Sequence, residues 1–98
     1  MVTMRSRPYR RATGRPSAPV VVYGTNWCAM TMIVRRMLER YGIPYRYVDL
    51  DHDVRAAREL QWLTGGAVSH PTIAVGGDVL VEPTARELDG YLRRRGLA

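Results

Sequence analysis

The chain has 98 residues, 46% of them hydrophobic, which suits one domain with a modest core and excludes two separate ones. Its single cysteine excludes an internal disulfide, and one cysteine with two histidines excludes a four-ligand zinc site of the usual kind. The net charge of +6 is uneven, because residues 1–18 carry five arginines and no acid, whereas residues 19–98 carry ten arginines and nine acids.

Residues 1–18 are predicted to be a flexible, arginine-rich arm outside the domain, because they combine prolines and small polar residues without apolar periodicity. Arginines bind phosphate backbones electrostatically, but no recognition motif accompanies them, so we expect no nucleic-acid partner. No stretch approaches the roughly 20 apolar residues of a membrane span, and no apolar signal core follows the arginines. We therefore expect a cytoplasmic protein without a membrane span.

Residues 19–98 are predicted to form the domain, and their first half alternates strand, helix and strand. The β-branched run Val20–Tyr23 is typical of a buried strand, and Gly24 ends it. Apolar residues recur at helical spacing after Cys28 and predict an amphipathic helix that ends near Gly42. Residues 43–50 predict a second strand, parallel to the first because a helix connects the two.

The second half is predicted to contain a helix, a hairpin and a last helix. Asp51 or Asp53 is suited to cap the helix, which Gly65 and Gly66 end. The hairpin comprises residues 72–75, a turn at 76–78 and residues 79–81, and a Thr-x-x-Glu capping box at 84–87 opens the last helix. The element order β-α-β-α-β-β-α therefore indicates an α/β fold, a four-stranded mixed sheet with helices on both faces.

Cys28 is the candidate nucleophile because it stands at a predicted helix N-terminus. Unpaired N–H groups and the positive end of the helix dipole favour a thiolate there, so a pKa well below the free value of about 8.5 is expected. Thr31, one turn later, is placed to donate its hydroxyl to the sulfur. The alternatives are a buried cysteine without chemistry and a merely solvent-facing threonine.

Several motifs in one order resemble the glutaredoxin branch of the thioredoxin fold. They are a strand VVVYG, TNWCAMT at a helix start, YVDLD, a GG loop, SHPTI, a GGD turn and EPTARELDGYL. The likeness covers residues 19–93 and is strongest to mycoredoxin-like members, which carry a tryptophan before the reactive cysteine. It implies a thioredoxin-like fold.

The resemblance also implies a set of site residues. Cys28 would be the nucleophile, and Pro71 would be cis, placing the backbone of His70 beside it. Three departures stand out: Thr31 replaces the frequent second cysteine, Ser69-His70 replaces the usual Thr-Val, and no basic residue precedes the site in YGTN. The residues expected to contact substrate are Trp27, Met30, Thr31, Ser69, His70, Pro71, Glu82, Pro83 and Thr84.

These features predict a monothiol oxidoreductase that reduces mixed disulfides between proteins and a low-molecular-weight thiol. Glutathione or mycothiol would be the co-substrate, and we expect a monomer with no tightly bound cofactor and no metal. One alternative is an iron–sulfur carrier, in which two chains hold a cluster through Cys28 and two glutathione molecules. The other is a noncatalytic thioredoxin-fold binding module that uses the arginine arm as its contact.

Overall fold

The computed structural model of the chain describes residues 2–4, 20–66 and 70–98. Every helix and strand predicted from the sequence is present, with ends that differ by at most a few residues. The second predicted strand is shorter than residues 43–50, because Ile43 and Pro44 lead into it. The elements are β1 Val2–Met4, β2 Val20–Gly24, α1 Ala29–Arg40, β3 Tyr45–Asp49, α2 Val54–Thr64, β4 Thr72–Val75, β5 Asp78–Val81 and α3 Ala85–Arg94.

The strands form one mixed sheet in the order β1-β5-β4-β2-β3. β2 and β3 are parallel, as expected for strands joined by a helix, whereas β4 pairs antiparallel with both β2 and β5. The predicted four-stranded mixed sheet is thereby confirmed in β2 to β5.

β1 is a fifth strand that the sequence did not predict. Its residues pair antiparallel with β5, Val2 opposite Leu80 and Met4 opposite Asp78. The expectation that the whole of residues 1–18 lies outside the domain therefore does not hold for Val2–Met4. A three-residue edge strand is held by backbone hydrogen bonds, so it needs no apolar pattern. The rest of that segment lies outside the described residues.

The main core lies between one face of the sheet and helices α1 and α3. Val20 and Val22, alternate residues of β2, are fully buried on this face, as their two-residue period requires. Helix α2 buries Ala56 and Leu60 and contacts β5, which places a helix on the second face. The core cluster comprises Val20, Val22, Val34, Leu38, Ile43, Ile73, Val75, Leu80, Leu88, Tyr91 and Leu92.

The strand register brings two loops together at one end of the sheet. Tyr23 near the end of β2 is opposite Thr72 at the start of β4, so the loop that follows β2 lies beside the segment that precedes β4. The first loop leads to Cys28 and the second contains His70 and Pro71. We call this the site end of the sheet.

The other end of the sheet, which we call the turn end, contains the β4–β5 turn. Asp78 is only 4% exposed there and accepts hydrogen bonds from the Tyr91 hydroxyl and the Arg95 guanidinium. Burial and the neighbouring Asp78 both raise the pKa of Tyr91. In the described ranges, no helix has the length and apolar character needed to cross a bilayer.

Candidate active site

Cys28 occupies the N-cap position of α1, as predicted. Its backbone is extended, with φ −89° and ψ 120°, and its carbonyl accepts the first helical hydrogen bond from Met32 N at 3.2 Å. The residue is partly exposed, which excludes the alternative of a cysteine sealed in the core. The sulfur therefore stands where the unpaired amides of the helix start converge and where another molecule can reach it.

The surroundings of the sulfur lower the pKa of Cys28 to about 7. Partial burial acts in the opposite direction and raises the pKa, but it is outweighed by the Thr31 hydroxyl and N–H, the His70 side chain and the Met30 N–H. None of the N–H groups at the start of α1 makes a cap hydrogen bond of standard geometry to the Cys28 side chain. They act instead as dipoles directed at the sulfur, which favour its negative form.

Thr31 is fully buried, so the alternative of a solvent-facing residue is wrong. Its hydroxyl has no standard hydrogen-bond partner in the described part of the chain, and the nearby sulfur is the group on which it acts. Gly24 makes room for it, because a Cβ at position 24 would lie 2.5 Å from Thr31 Oγ1. The glycine that ends β2 thus allows a hydroxyl to sit beneath the nucleophile.

The peptide bond between His70 and Pro71 is cis, as the resemblance implied. His70 is half-buried, and its Nδ1 lacks a partner among the described residues. The carbonyl of Pro71 accepts a hydrogen bond from Glu82 N at 2.9 Å, which ties this segment to the loop between β5 and α3. The predicted site residue Ser69 lies outside the described residues.

Trp27 is 70% exposed, so its side chain lies outside the core and is accessible to another molecule. Its indole N–H donates to Asp51 Oδ2 at 2.8 Å. Its ring meets the His70 ring edge to face, with centroids 5.2 Å apart and an interplanar angle of 80°. Met30, also predicted to contact substrate, is partly exposed as the second residue of α1. The rings of Trp27 and His70 therefore pack against each other near the Cys28 sulfur.

The loop between β5 and α3 holds the last three predicted site residues. Glu82 is exposed and adopts a left-handed backbone, φ 49°, which is uncommon for a residue other than glycine. Pro83 is buried, and Thr84 caps α3 in the predicted capping box with Glu87. Because the Thr84 N–H donates to Glu87 Oε1, that amide is already occupied.

Four residues near the site were missed by sequence reasoning: Asn26, Asp49, Asp51 and His52. Asp49 Oδ2 accepts from Asn26 Nδ2 at 3.3 Å and lies 2.8 Å from His52 Nδ1. The hydrogen bond with His52 lowers the pKa of Asp49, and the same contact raises the pKa of His52. A signal for these residues was present in the sequence. Acids alternate at positions 49, 51 and 53, at the end of a strand parallel to β2 and just after it. Because parallel strands end at the same edge of a sheet, these acids could have been placed near the loop that follows β2.

A shallow groove of about 580 Å³ runs along the C-terminal half of α2. Trp62, 87% exposed, forms part of it. Its lining also includes Arg58, Gln61, Gly65 and Gly66.

Comparisons with family models and with known proteins both find glutaredoxins. The family model described as Glutaredoxin matches residues 10–80. A Mycobacterium tuberculosis (strain H37Rv) protein that carries a glutaredoxin name is 30% identical over 77 residues, which cover 78% of this chain and 92% of that protein.

Solved structures agree on the fold. The crystal structure of a glutaredoxin from Archaeoglobus fulgidus has a TM-score of 0.69 at 18% identity and covers 83% of this chain and 99% of that one. The crystal structure of a buckwheat glutaredoxin–glutathione complex has a TM-score of 0.61 at 21% identity and covers 81% and 71%. At these identities the likeness establishes a thioredoxin-like arrangement of helices and strands.

Proposed function

The chain belongs to the glutaredoxin family of thiol–disulfide oxidoreductases, and from this premise we propose that it is a monothiol member acting through Cys28. Its reaction would reduce mixed disulfides between proteins and a low-molecular-weight thiol. The observation that carries this proposal is the state of Cys28, partly exposed at the start of α1 with a pKa of about 7. About half of the sulfur is then thiolate at pH 7.

The first step is attack by the Cys28 thiolate on the small-thiol sulfur of the mixed disulfide. A bond forms between Cys28 and that sulfur, and the original disulfide bond breaks. The protein substrate leaves as a thiolate and takes a proton from water. The dipoles that favour an anionic sulfur before the attack are the N–H groups of α1, the Thr31 hydroxyl and His70.

The second step needs an external thiol, because Cys28 is the only cysteine in the sequence. A second small-thiol molecule, as its thiolate, attacks the small-thiol sulfur bound to Cys28. This releases the Cys28 thiolate and an oxidised small-thiol disulfide, so the second molecule supplies the electrons that reduce the protein. An internal protein disulfide would be a poor substrate, because no second cysteine resolves the resulting protein–protein disulfide.

The groups proposed to hold the small thiol surround the sulfur. The His70–Pro71 segment offers its backbone, and the Glu82 N–H to Pro71 carbonyl bond keeps the β5–α3 loop next to it. Trp27 and Met30 are exposed enough to form walls. Glutathione and mycothiol are the proposed co-substrates, and the buckwheat relative solved with glutathione supports this class of ligand.

The decisive experiment compares the native chain with Cys28→Ser, using a peptide carrying glutathione or mycothiol in mixed disulfide. We expect turnover by the native chain with at least one thiol and its complete loss in Cys28→Ser. The matched control is Met32→Ala, an exposed α1 position, which should retain turnover. Equal rates for the native chain and Cys28→Ser would refute the proposal, as would faster reduction of an internal disulfide than of either mixed disulfide.

A further inference from the structure

A chain of side-chain contacts connects the acidic loop after β3 to the nucleophile. Asp51 Oδ2 accepts from the Trp27 indole N–H at 2.8 Å. Trp27 in turn packs edge to face against His70, and the His70 side chain acts on the Cys28 sulfur. An indole that is 70% exposed would ordinarily rotate freely, yet this one is held at its N–H and at its ring.

Asp51 is itself fixed in place by Asp49. The Asp51 N–H donates to Asp49 Oδ1 at 3.0 Å, and Asp49 Oδ2 binds both Asn26 and His52. Asn26 immediately precedes Trp27, and its Oδ1 accepts from the Tyr47 hydroxyl at 2.9 Å. Three side-chain hydrogen bonds thus join the Asn26–Trp27 segment to β3 and the loop that follows it.

We propose that Asp51 is a positioning residue for the reaction at Cys28: it fixes Trp27, and Trp27 keeps the His70 ring beside the sulfur. The proposal rests on the function proposed above and deepens it by assigning a role to the acidic loop. The contacts of Asp51 are with Trp27 and Asp49, and Asp51 is not among the groups that act on the Cys28 sulfur. It acts through the indole, whose free rotation into solvent would remove one of the neighbours of His70.

The charge of Asp51 and its positioning role have opposite effects on the pKa of Cys28, which makes the proposal testable. A carboxylate near a thiol disfavours the thiolate, so removal of the charge alone would lower the pKa of Cys28. Loss of the His70 contact would raise it, because that contact favours the thiolate. The titratable groups of this region are His70 beside the sulfur, Tyr47 and Asp49 of β3, and Asp51 and His52 of the loop after it.

The experiment measures the rate of Cys28 alkylation by iodoacetamide against pH for Asp51→Ala and Asp51→Asn. Asparagine lacks the charge but keeps a side-chain oxygen to accept from the indole. We expect Asp51→Ala to raise the apparent pKa and to slow alkylation about threefold at pH 6. Asp51→Asn should not raise the apparent pKa, because the indole keeps its acceptor and removal of the charge alone lowers the pKa. A pKa that falls or stays unchanged in Asp51→Ala overturns the proposal, as does an Asp51→Asn profile that matches Asp51→Ala.

Two further measurements separate positioning from a structural defect. Glu59→Ala removes an exposed acid of α2 and should leave the profile unchanged. The indole proton signal of Trp27, assigned by comparison with Trp62→Phe, should move upfield in Asp51→Ala and stay in place in Asp51→Asn. An unmoved signal in Asp51→Ala contradicts the proposal. Because alkylation needs no disulfide substrate, the result stands even if the mixed-disulfide assay shows no turnover.

Discussion

The two ends of the sheet treat buried polar groups in opposite ways. At the turn end, buried Asp78 accepts from both Tyr91 and Arg95. At the site end, three buried polar atoms lack a standard partner among the described residues: Thr25 Oγ1, Thr31 Oγ1 and His70 Nδ1. An unsatisfied buried group costs about 1–3 kcal/mol, so the site end forgoes stability that the turn end keeps. The difference is consistent with the proposed reaction, in which a charged sulfur or a bound molecule would partner the polar atoms near Cys28.

The largest expected effect is at the turn end. Asp78→Ala leaves the buried Tyr91 hydroxyl and the Arg95 guanidinium without their shared acceptor, so we expect the free energy of unfolding to fall by about 2–3 kcal/mol. Urea denaturation measures this loss, and the alkylation profile of Cys28 should not change.

The matched control for that variant is Asp89→Ala, which removes the more exposed shared acceptor of the Tyr41 hydroxyl and the Arg93 guanidinium. It should cost less than about 1 kcal/mol. Equal losses in the two variants would mean that burial does not distinguish the turn end.

The next largest effect is expected at the site end, where Gly24 lies close to Thr31. Gly24→Ala would place a methyl group 2.5 Å from Thr31 Oγ1, so overpacking should cost about 1–3 kcal/mol of unfolding free energy. Thr31→Ala removes the two nearest atoms, and the added cost of Gly24→Ala in that background should be clearly smaller. Additive losses across this double-mutant cycle would show that the two positions do not interact.

The smallest stability effect is expected from Thr31→Val, which replaces a hydroxyl without a standard partner among the described residues by a methyl group of similar size. Unfolding free energy should stay within about 1 kcal/mol of native, because no satisfied hydrogen bond is lost. Reactivity should change instead, since loss of the hydroxyl raises the pKa of Cys28 above about 7.

The pH profile gives the sign of that change. The thiolate fraction falls as pH drops below the pKa, so a raised pKa slows alkylation on the acid side, on the order of threefold at pH 6. Above pH 9 the rates of native and variant should converge. Thr31→Ser keeps a hydroxyl and should retain the native profile. If the Thr31→Val profile also stays native, the Thr31 hydroxyl does not lower the pKa of Cys28.

Much of the fold was predictable because its signals are local. The β-branched run of β2, the helical spacing of α1 and the glycine turn between β4 and β5 are such signals, and the Thr-x-x-Glu pattern identified the cap of α3. The position of Cys28 at a helix start followed from the residues next to it. Val2–Met4 had no such signal, since a short edge strand depends on the partner that it meets.

The contacts that organise the site were less predictable because they join distant segments. Trp27 and Asp51 are 24 residues apart, and the loops that carry them meet only after β2 and β3 pair. The burial of Thr31 depends on Gly24, which lies seven positions earlier on another element. The sequence shows that these residues are polar or small, but only the packed chain determines which of them touch.

The pairing of β1 with β5 also determines which strand lies at the outer edge of the sheet. A sheet edge offers unpaired N–H and C=O groups on which a strand from another molecule can add. Val2–Met4 occupies those positions along Asp78–Leu80. The outer strand on this side of the sheet is therefore only three residues long, and so short an edge offers few backbone groups on which a second molecule could add.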